Sequence, residues 1–366
     1  MTYDIPLDPQ GLTPQLLTEI IGDVHPGARV EGVNIVQAMG YGETGVHSSA
    51  IATLDLTFAA GSAENLPRRV VVKMSLNFDH WSYRLDAVYE LEVNFYNRIR
   101  PSLVIEAPLS MGGRYDAESG RYVLVLEDVG ARGAHMSTLM DDVSIGNVER
   151  VLETLARLHA HFWGSARFRG DLSWVQTHLG GSIERLMDKV VRPGVQGQLG
   201  IHRIEREMLE RIEMTEEQLY TNIRLLKLHQ LTLPQTLLHG DCHIANTYRL
   251  PDGSGGLYDW QLCLRGFAIH DVGYHITTAL SIEERRRSER DLLAFYRDRL
   301  QAYGVTDPPD LETFWSEMRR GHGYGIYVWL TAVEHHYGLE PLMVVLQRLS
   351  TAFEDHETRK MLAQLS

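Results

Sequence analysis

The chain has 366 residues and a mass of 41.6 kDa, with 44% hydrophobic and 23% charged residues, enough for one large domain or two lobes. Its 48 Asp and Glu against 35 Lys and Arg leave a formal charge of −13, which argues against coating a phosphate backbone. No apolar stretch reaches the roughly 20 residues that cross a bilayer, and the opening MTYDIPLDPQ lacks the build of a signal peptide.

Two cysteines, Cys242 and Cys263, cannot make a disulfide framework, which suits a reducing compartment. A cytoplasmic protein is therefore expected, with neither nucleic acid nor membrane as a partner and no obligate protein partner evident.

The first 130 residues read mainly as strands. Just ahead of the first clear strand, Gly40-Tyr41-Gly42-Glu43-Thr44-Gly45 spells G-x-G-x-x-G. A dinucleotide site would need a helix immediately after it, but HSSAIATLDLTF follows. There Ala52, Leu54, Leu56 and Phe58 alternate with Thr53, Asp55 and Thr57, the period of a half-buried strand. The glycines then form either a plain hairpin turn or a flap over a nucleotide's phosphates. GSAENLP leads into a second strand, RRVVVKMS, and MGGRYDAESGRYVLVLEDVG repeats strand, polar turn, strand.

Lys73 closes the run Val70 to Val72, where a lysine either snorkels at a strand end or wants an anionic partner. The one helix expected in this half, from about Tyr83 to Ile99, offers two glutamates. Glu90 shares a stripe with Asp86, Asn94 and Asn97, the solvent side. Glu92 shares one with Val88, Phe95 and Ile99, the buried side. Glu92 is the better partner for Lys73.

Beyond Gly133 helical patterning takes over, so the boundary falls near Gly130 to Gly133, giving domains 1–130 and 131–366. Val148, Val151, Leu152, Leu155, Leu158 and Phe162 recur at spacings of three and four, an amphipathic helix. His159 falls on its apolar face, as a satisfied core histidine would. Residues 237–246 read LLHGDCHIAN, which packs His239, Asp241, His243 and Asn246 into eight positions after an apolar run. Asp259 ends a short strand in LYDWQ, and PDGSGG makes the tip of a hairpin between the two segments. Two aspartates and an asparagine so arranged could converge on a divalent cation through oxygen ligands. Ser281 and Glu284 form a capping pair for a helix that Gly304 is placed to end.

HGDCHIAN resembles the H-G-D-x-H-x-x-N loop of the aminoglycoside phosphotransferase and choline kinase group, and LYDWQ is similar to its metal-binding Asp-Trp segment. ELEVNFY and LARLHAHFW also resemble the ecdysteroid-kinase-like branch. The likeness runs from about Val36 to Tyr303. It implies an α+β, protein-kinase-like fold of two lobes: a small antiparallel-sheet lobe with one helix, which binds nucleotide, and a larger helical lobe with the catalytic loop and acceptor site.

The resemblance further implies transfer of the γ-phosphate of ATP or GTP to a small-molecule hydroxyl. Asp241 would take or orient the hydroxyl proton. Asn246 and Asp259 would hold Mg²⁺, and Lys73, steadied by Glu92, would contact the inner phosphates beneath Gly40, Gly42 and Gly45. The backbone of Leu126, Glu127 and Asp128 would meet the base, while His239, His243 and Asp271 would support the loop. Gly240 stands where protein kinases have Arg, which argues against activation by a phosphorylated loop.

Two histidines four apart on a helix would suit zinc, but Gly240 and the turn-like composition speak against a helix there. Trp163, Trp174, Trp315 and Trp329 are core residues or, for one or two, part of an acceptor pocket. From Leu311 to Ser366 seven acids face five bases, and aromatics crowd GHGYGIYVWLTAVEHHYG. That balance favours a neutral or partly apolar hydroxylated acceptor over a polycationic aminoglycoside. A nucleotide-binding scaffold without turnover is the alternative of a different class.

Overall fold

Alternation in the first half is realised as a five-stranded sheet. The computed structural model describes residues 5–39, 49–75, 86–331 and 338–365, which divide into two compact units, Met1–Ala134 and His135–Ser366.

In the first unit β1 (Val30–Met39), β2 (Ala50–Phe58), β3 (Arg69–Met74), β4 (Ser110–Asp116) and β5 (Arg121–Glu127) lie in the order β1-β2-β3-β5-β4. Every neighbouring pair is antiparallel. Val70, Val72 and Met74 of β3 point to one face and are buried. The period of two sends Val71 and Lys73 to the other, with Lys73 between Ile51 and Leu124 on the flanking strands.

One helix appears here that strand-and-turn patterning did not suggest. α1 (Pro14–Gly22) starts at Thr13, whose Oγ1 accepts the Leu16 amide at 3.2 Å, with Pro14 at the first helical position. It buries Leu17, Ile20 and Ile21 on the Val70 face of the sheet. Gly112 (φ 123°) permits that approach, because a Cβ there would lie 2.3 Å from the Ile20 carbonyl oxygen.

The expected helix from Tyr83 to Ile99 is described from residue 86 onward. α2 (Asp86–Asn94) runs into a wider π turn, Phe95–Ile99, which buries Phe95, Tyr96 and Ile99. Glu90 is exposed and Glu92 buried. Gly40, Gly42 and Gly45 lie outside the described residues.

The second unit is mostly helical. Its α3 (Ile145–Phe162), capped by Ser144, buries Val148, Val151, Leu152, Leu155, Leu158 and Phe162. Short strands carry the loops that matter: β6 (His135–Met136), β7 (Thr236–Leu238), β8 (Thr247–Arg249), β9 (Gly255–Leu257) and β10 (Leu264–Gly266). β7 pairs with β10, and β8 pairs with both β6 and β9, all antiparallel. Helix Ile269–Ala279 is buried along its whole length, and helices Glu216–Gln230, Ile282–Ala302 and Leu311–Trp329 complete the frame used below.

Candidate active site

In the first unit, the Lys73 ammonium meets the Glu92 carboxylate at 2.7 Å. The Glu92 side chain is fully buried and that of Lys73 is 11% exposed, so a low-dielectric surround sharpens the attraction. Farther along β5, Leu126 still pairs with Val71 and Ser110. The amide of Glu127 donates to Leu109 O at 2.9 Å and that of Asp128 to Arg69 O at 3.3 Å. Asp128 Oδ1 then accepts the Gly130 amide and opens a 3₁₀ turn. Any base recognition by this stretch must use groups left after those bonds.

In the second unit the segment 239–246 is a tight loop followed by a single 3₁₀ turn, Ile244–Asn246. Gly240 has φ 86°, and a Cβ there would sit 2.0 Å from the Leu262 carbonyl oxygen. No other residue type fits. Asp271, at the start of the buried helix, accepts the amide of His239 at 2.7 Å with one oxygen and that of Gly240 at 2.9 Å with the other. Burial works to raise its carboxyl, but the His159 hydrogen bond and the surrounding imidazoles outweigh that and hold it below the usual value.

The His239 ring is fixed at both nitrogens: Nε2–H donates to Tyr258 O at 2.8 Å and Nδ1 accepts the Asp241 amide at 3.3 Å. Burial lowers its basicity, so it serves as neutral scaffolding, and neither nitrogen is left for zinc. On the far side of the loop His270 donates Nε2–H to Gly240 O at 3.0 Å and accepts from Lys227 Nζ at 2.8 Å.

Asp241 is thus presented from a braced turn. Its side chain is 24% exposed, and burial, with the nearby Asp259 charge adding to it, pushes its carboxyl up to about 6. Asn246 Nδ2 donates to the Asp241 carbonyl at 2.8 Å and to its carboxylate at 3.2 Å. That commits the amide nitrogen and turns Asn246 Oδ1 the other way. Across the β8–β9 hairpin the Tyr258 amide donates to Asn246 O at 3.1 Å, which brings Asp259 alongside. Asp259 has a left-handed backbone, φ 63° and ψ 66°.

A carboxylate and an amide oxygen are hard donors of the kind Mg²⁺ takes in twos, with phosphate oxygens and water completing the shell. The residues therefore fit that ion. No group of three or more His, Cys, Asp or Glu poised for a metal occurs among the described residues.

An aromatic wall stands beside Asp241. His243 Nε2 lies 3.7 Å from its carboxylate, and the His243 ring packs edge-on to Trp329 at 5.3 Å and Tyr274 at 6.1 Å. Trp329 Nε1 donates to the Tyr274 hydroxyl at 2.8 Å. Burial drives His243 down to about 4, so it is neutral near pH 7. Both cysteines are buried.

The profile of the APH phosphotransferase enzyme family matches residues 56–314, well over half of the chain. The chain belongs to this family. Among solved structures, the microcompartment-associated aminopropanol kinase is 14% identical, with 96% of this chain and 98% of that one covered at a TM-score of 0.50. Choline kinase from Cryptosporidium parvum Iowa II is 11% identical, with 91% and 90% covered and the same TM-score. At such identities the likeness is one of fold, and the fold is kinase-like. No curated protein matches the chain at a significant level. Among the described residues, no helix is long and apolar enough to cross a membrane.

The chain is thus a phosphotransferase. Three of its supporting residues escaped sequence reasoning. His159 is more than a core histidine: Nε2 donates to Asp271 at 3.2 Å and Nδ1 accepts from the Tyr296 hydroxyl at 2.7 Å. Lys227 and His270 reach the loop only through the tertiary fold. A signal for Lys227 existed, since Tyr220, Ile223, Lys227 and Gln230 recur at helical spacing and form one buried stripe.

Proposed function

We propose that this phosphotransferase moves the γ-phosphate of ATP, with GTP as the other candidate donor, to a hydroxyl of a neutral or partly apolar small molecule. Asp241 accepts the hydroxyl proton as the oxygen attacks phosphorus. Its lifted pKa suits a group that must be ionised at neutral pH yet able to take a proton. Asn246 Oδ1 and the Asp259 carboxylate would hold Mg²⁺, which when bound neutralises charge on the nucleotide phosphates. Lys73, oriented by Glu92, supplies a fixed positive charge for the inner phosphates. Phosphoryl transfer asks for this division of labour, because positioning and charge neutralisation supply most of the rate.

The observation that carries the proposal is the braced Asp241 with Asn246 bonded to it across the loop. The neighbouring wall of His243, Tyr274 and Trp329 supports an acceptor with apolar surface.

The test is turnover of Mg-ATP and Mg-GTP against a panel of polycyclic alcohols, amino alcohols and aminoglycosides, with phosphorylated product read by mass. Product should form with wild type and fall by about 10²–10⁴-fold in Asp241→Ala, while Mg-nucleotide binding persists. Asp259→Asn should weaken Mg-nucleotide binding. Binding without transfer across the whole panel would instead indicate a nucleotide-dependent scaffold.

A further inference from the structure

The peptide that joins Gly240 to Asp241 is gripped on both edges by imidazoles. Its carbonyl accepts from His270 Nε2 at 3.0 Å, and its amide, that of Asp241, donates to His239 Nδ1 at 3.3 Å. A peptide is planar, so holding both edges fixes its rotation. That rotation in turn helps to set where the Asp241 side chain leaves the backbone.

The two rings are held in different ways. His239 gives its other proton to a backbone carbonyl, Tyr258 O, at 2.8 Å. His270 is 8% exposed and packs edge-on to both Tyr324 and His178, each at 4.6 Å. Those contacts fix the plane of the His270 ring but not which edge faces the loop. A half-turn about its bond to Cβ would put carbon where each nitrogen now lies.

Lys227 decides between the two orientations. Its Nζ meets His270 Nδ1 at 2.8 Å and Gln230 Oε1 at 3.4 Å, and it lies over the Tyr324 ring at 5.0 Å. In the turned ring this buried amine would face a C–H. Burial and the neighbouring Lys227 drive His270 down to about 3, so near pH 7 the ring carries a single proton. The Gly240 carbonyl can only accept, which places that proton on Nε2 and leaves Nδ1 as the acceptor. Charged or neutral, the Lys227 amine has an N–H to give it.

On the reading of Asp241 given above, we propose that His270 is a positioning residue for phosphotransfer, and that Lys227 acts through it by holding the ring with Nε2–H toward the Gly240 carbonyl. Both work through the backbone of the loop. What position 270 must supply is a hydrogen-bond donor, not the volume of a ring.

The test is kinetic and spectroscopic, on the full chain. ADP release from Mg-ATP is followed with the alcohol panel, together with KM for nucleotide. His270→Phe keeps a ring without a donor, and kcat should fall about tenfold with KM little changed. His270→Gln returns an N–H near the same place and should recover most of that loss. Lys227→Met should lower kcat about 3–10-fold, yet add nothing in the His270→Phe background, because it acts only through the ring. Imidazole nitrogen NMR of isotope-labelled protein gives a readout without turnover, with His270 identified by the signals missing from His270→Gln. Wild type should show the proton on Nε2 and a bare Nδ1 whose resonance moves in Lys227→Met. A proton on Nδ1, equal kcat in His270→Phe and His270→Gln, or losses that multiply in the double variant would overturn the inference. The two His270 variants decide the matter should Lys227→Met fail to fold. Wild-type turnover in Asp241→Ala would instead strike the reading of Asp241, and would leave the nitrogen pattern of His270 as it is.

Discussion

Asp271 and His239 meet through a carboxylate oxygen and a backbone amide at 2.7 Å, and the second oxygen takes the next amide, of Gly240. Both oxygens are needed as acceptors. Asp271→Asn puts an NH₂ donor against a buried amide donor. We expect a loss of about 1–3 kcal/mol in chemical denaturation. We also expect kcat to fall far more than nucleotide affinity, since the loop that presents Asp241 loses its brace.

Gly240→Ala should damage the same loop by a different route. The left-handed φ of 86° and a 2.0 Å approach to the Leu262 carbonyl leave no room for a methyl group. Strain at φ alone costs about 1–3 kcal/mol, and the steric contact adds to it. Activity should collapse although every polar group of the site is still encoded, and thermal melting should fall in parallel. Wild-type kcat in this variant would show that the turn can open without cost.

Lys73 and Glu92 are coupled at 2.7 Å in buried surroundings. A double-mutant cycle of Lys73→Met and Glu92→Gln, read by denaturation, should give a coupling energy of about 1–3 kcal/mol. Kinetics should separate the partners. Lys73→Met loses the charge that would meet phosphate, so it should lower kcat/KM for nucleotide more than Glu92→Gln, which only loosens the lysine.

Lys227 gives the fold a pH signature. Burial lowers it to about 7, whereas the unfolded chain holds the proton to about 10.4. Between those values the unfolded state binds more protons, so stability should rise with pH and level off below about 7. The difference in unfolding free energy between wild type and Lys227→Met should therefore change by about 1.4 kcal/mol per pH unit across that window. A flat difference would mean that the lysine keeps its charge.

Much of the local chemistry could be read from spacing alone. The loop 237–246 announces itself because glycine, histidine, aspartate and asparagine in that order make neither helix nor strand. Glu92 was separable from Glu90 by helical phase. What spacing could not reveal is who stands behind the loop. Lys227, His270 and His159 lie far from Asp241 along the chain or on other elements, and only the packing of three helices brings them to it. α1 was missed for a simpler reason: nine residues give too few turns for a period to declare itself. The π turn after Asn94 kept the expected helix going but changed its pitch, a matter of packing that no single-residue preference encodes.

Asp259 carries its side chain from a backbone that most residues avoid, with φ 63°. The main chain thus sets the direction in which the side chain leaves the backbone. Fold and function become separable at this position. Asp259→Gly should relieve the backbone, leaving melting unchanged or slightly raised while Mg-nucleotide binding disappears. Asp259→Val should forfeit both, because a β-branched residue is poorly accommodated in that conformation.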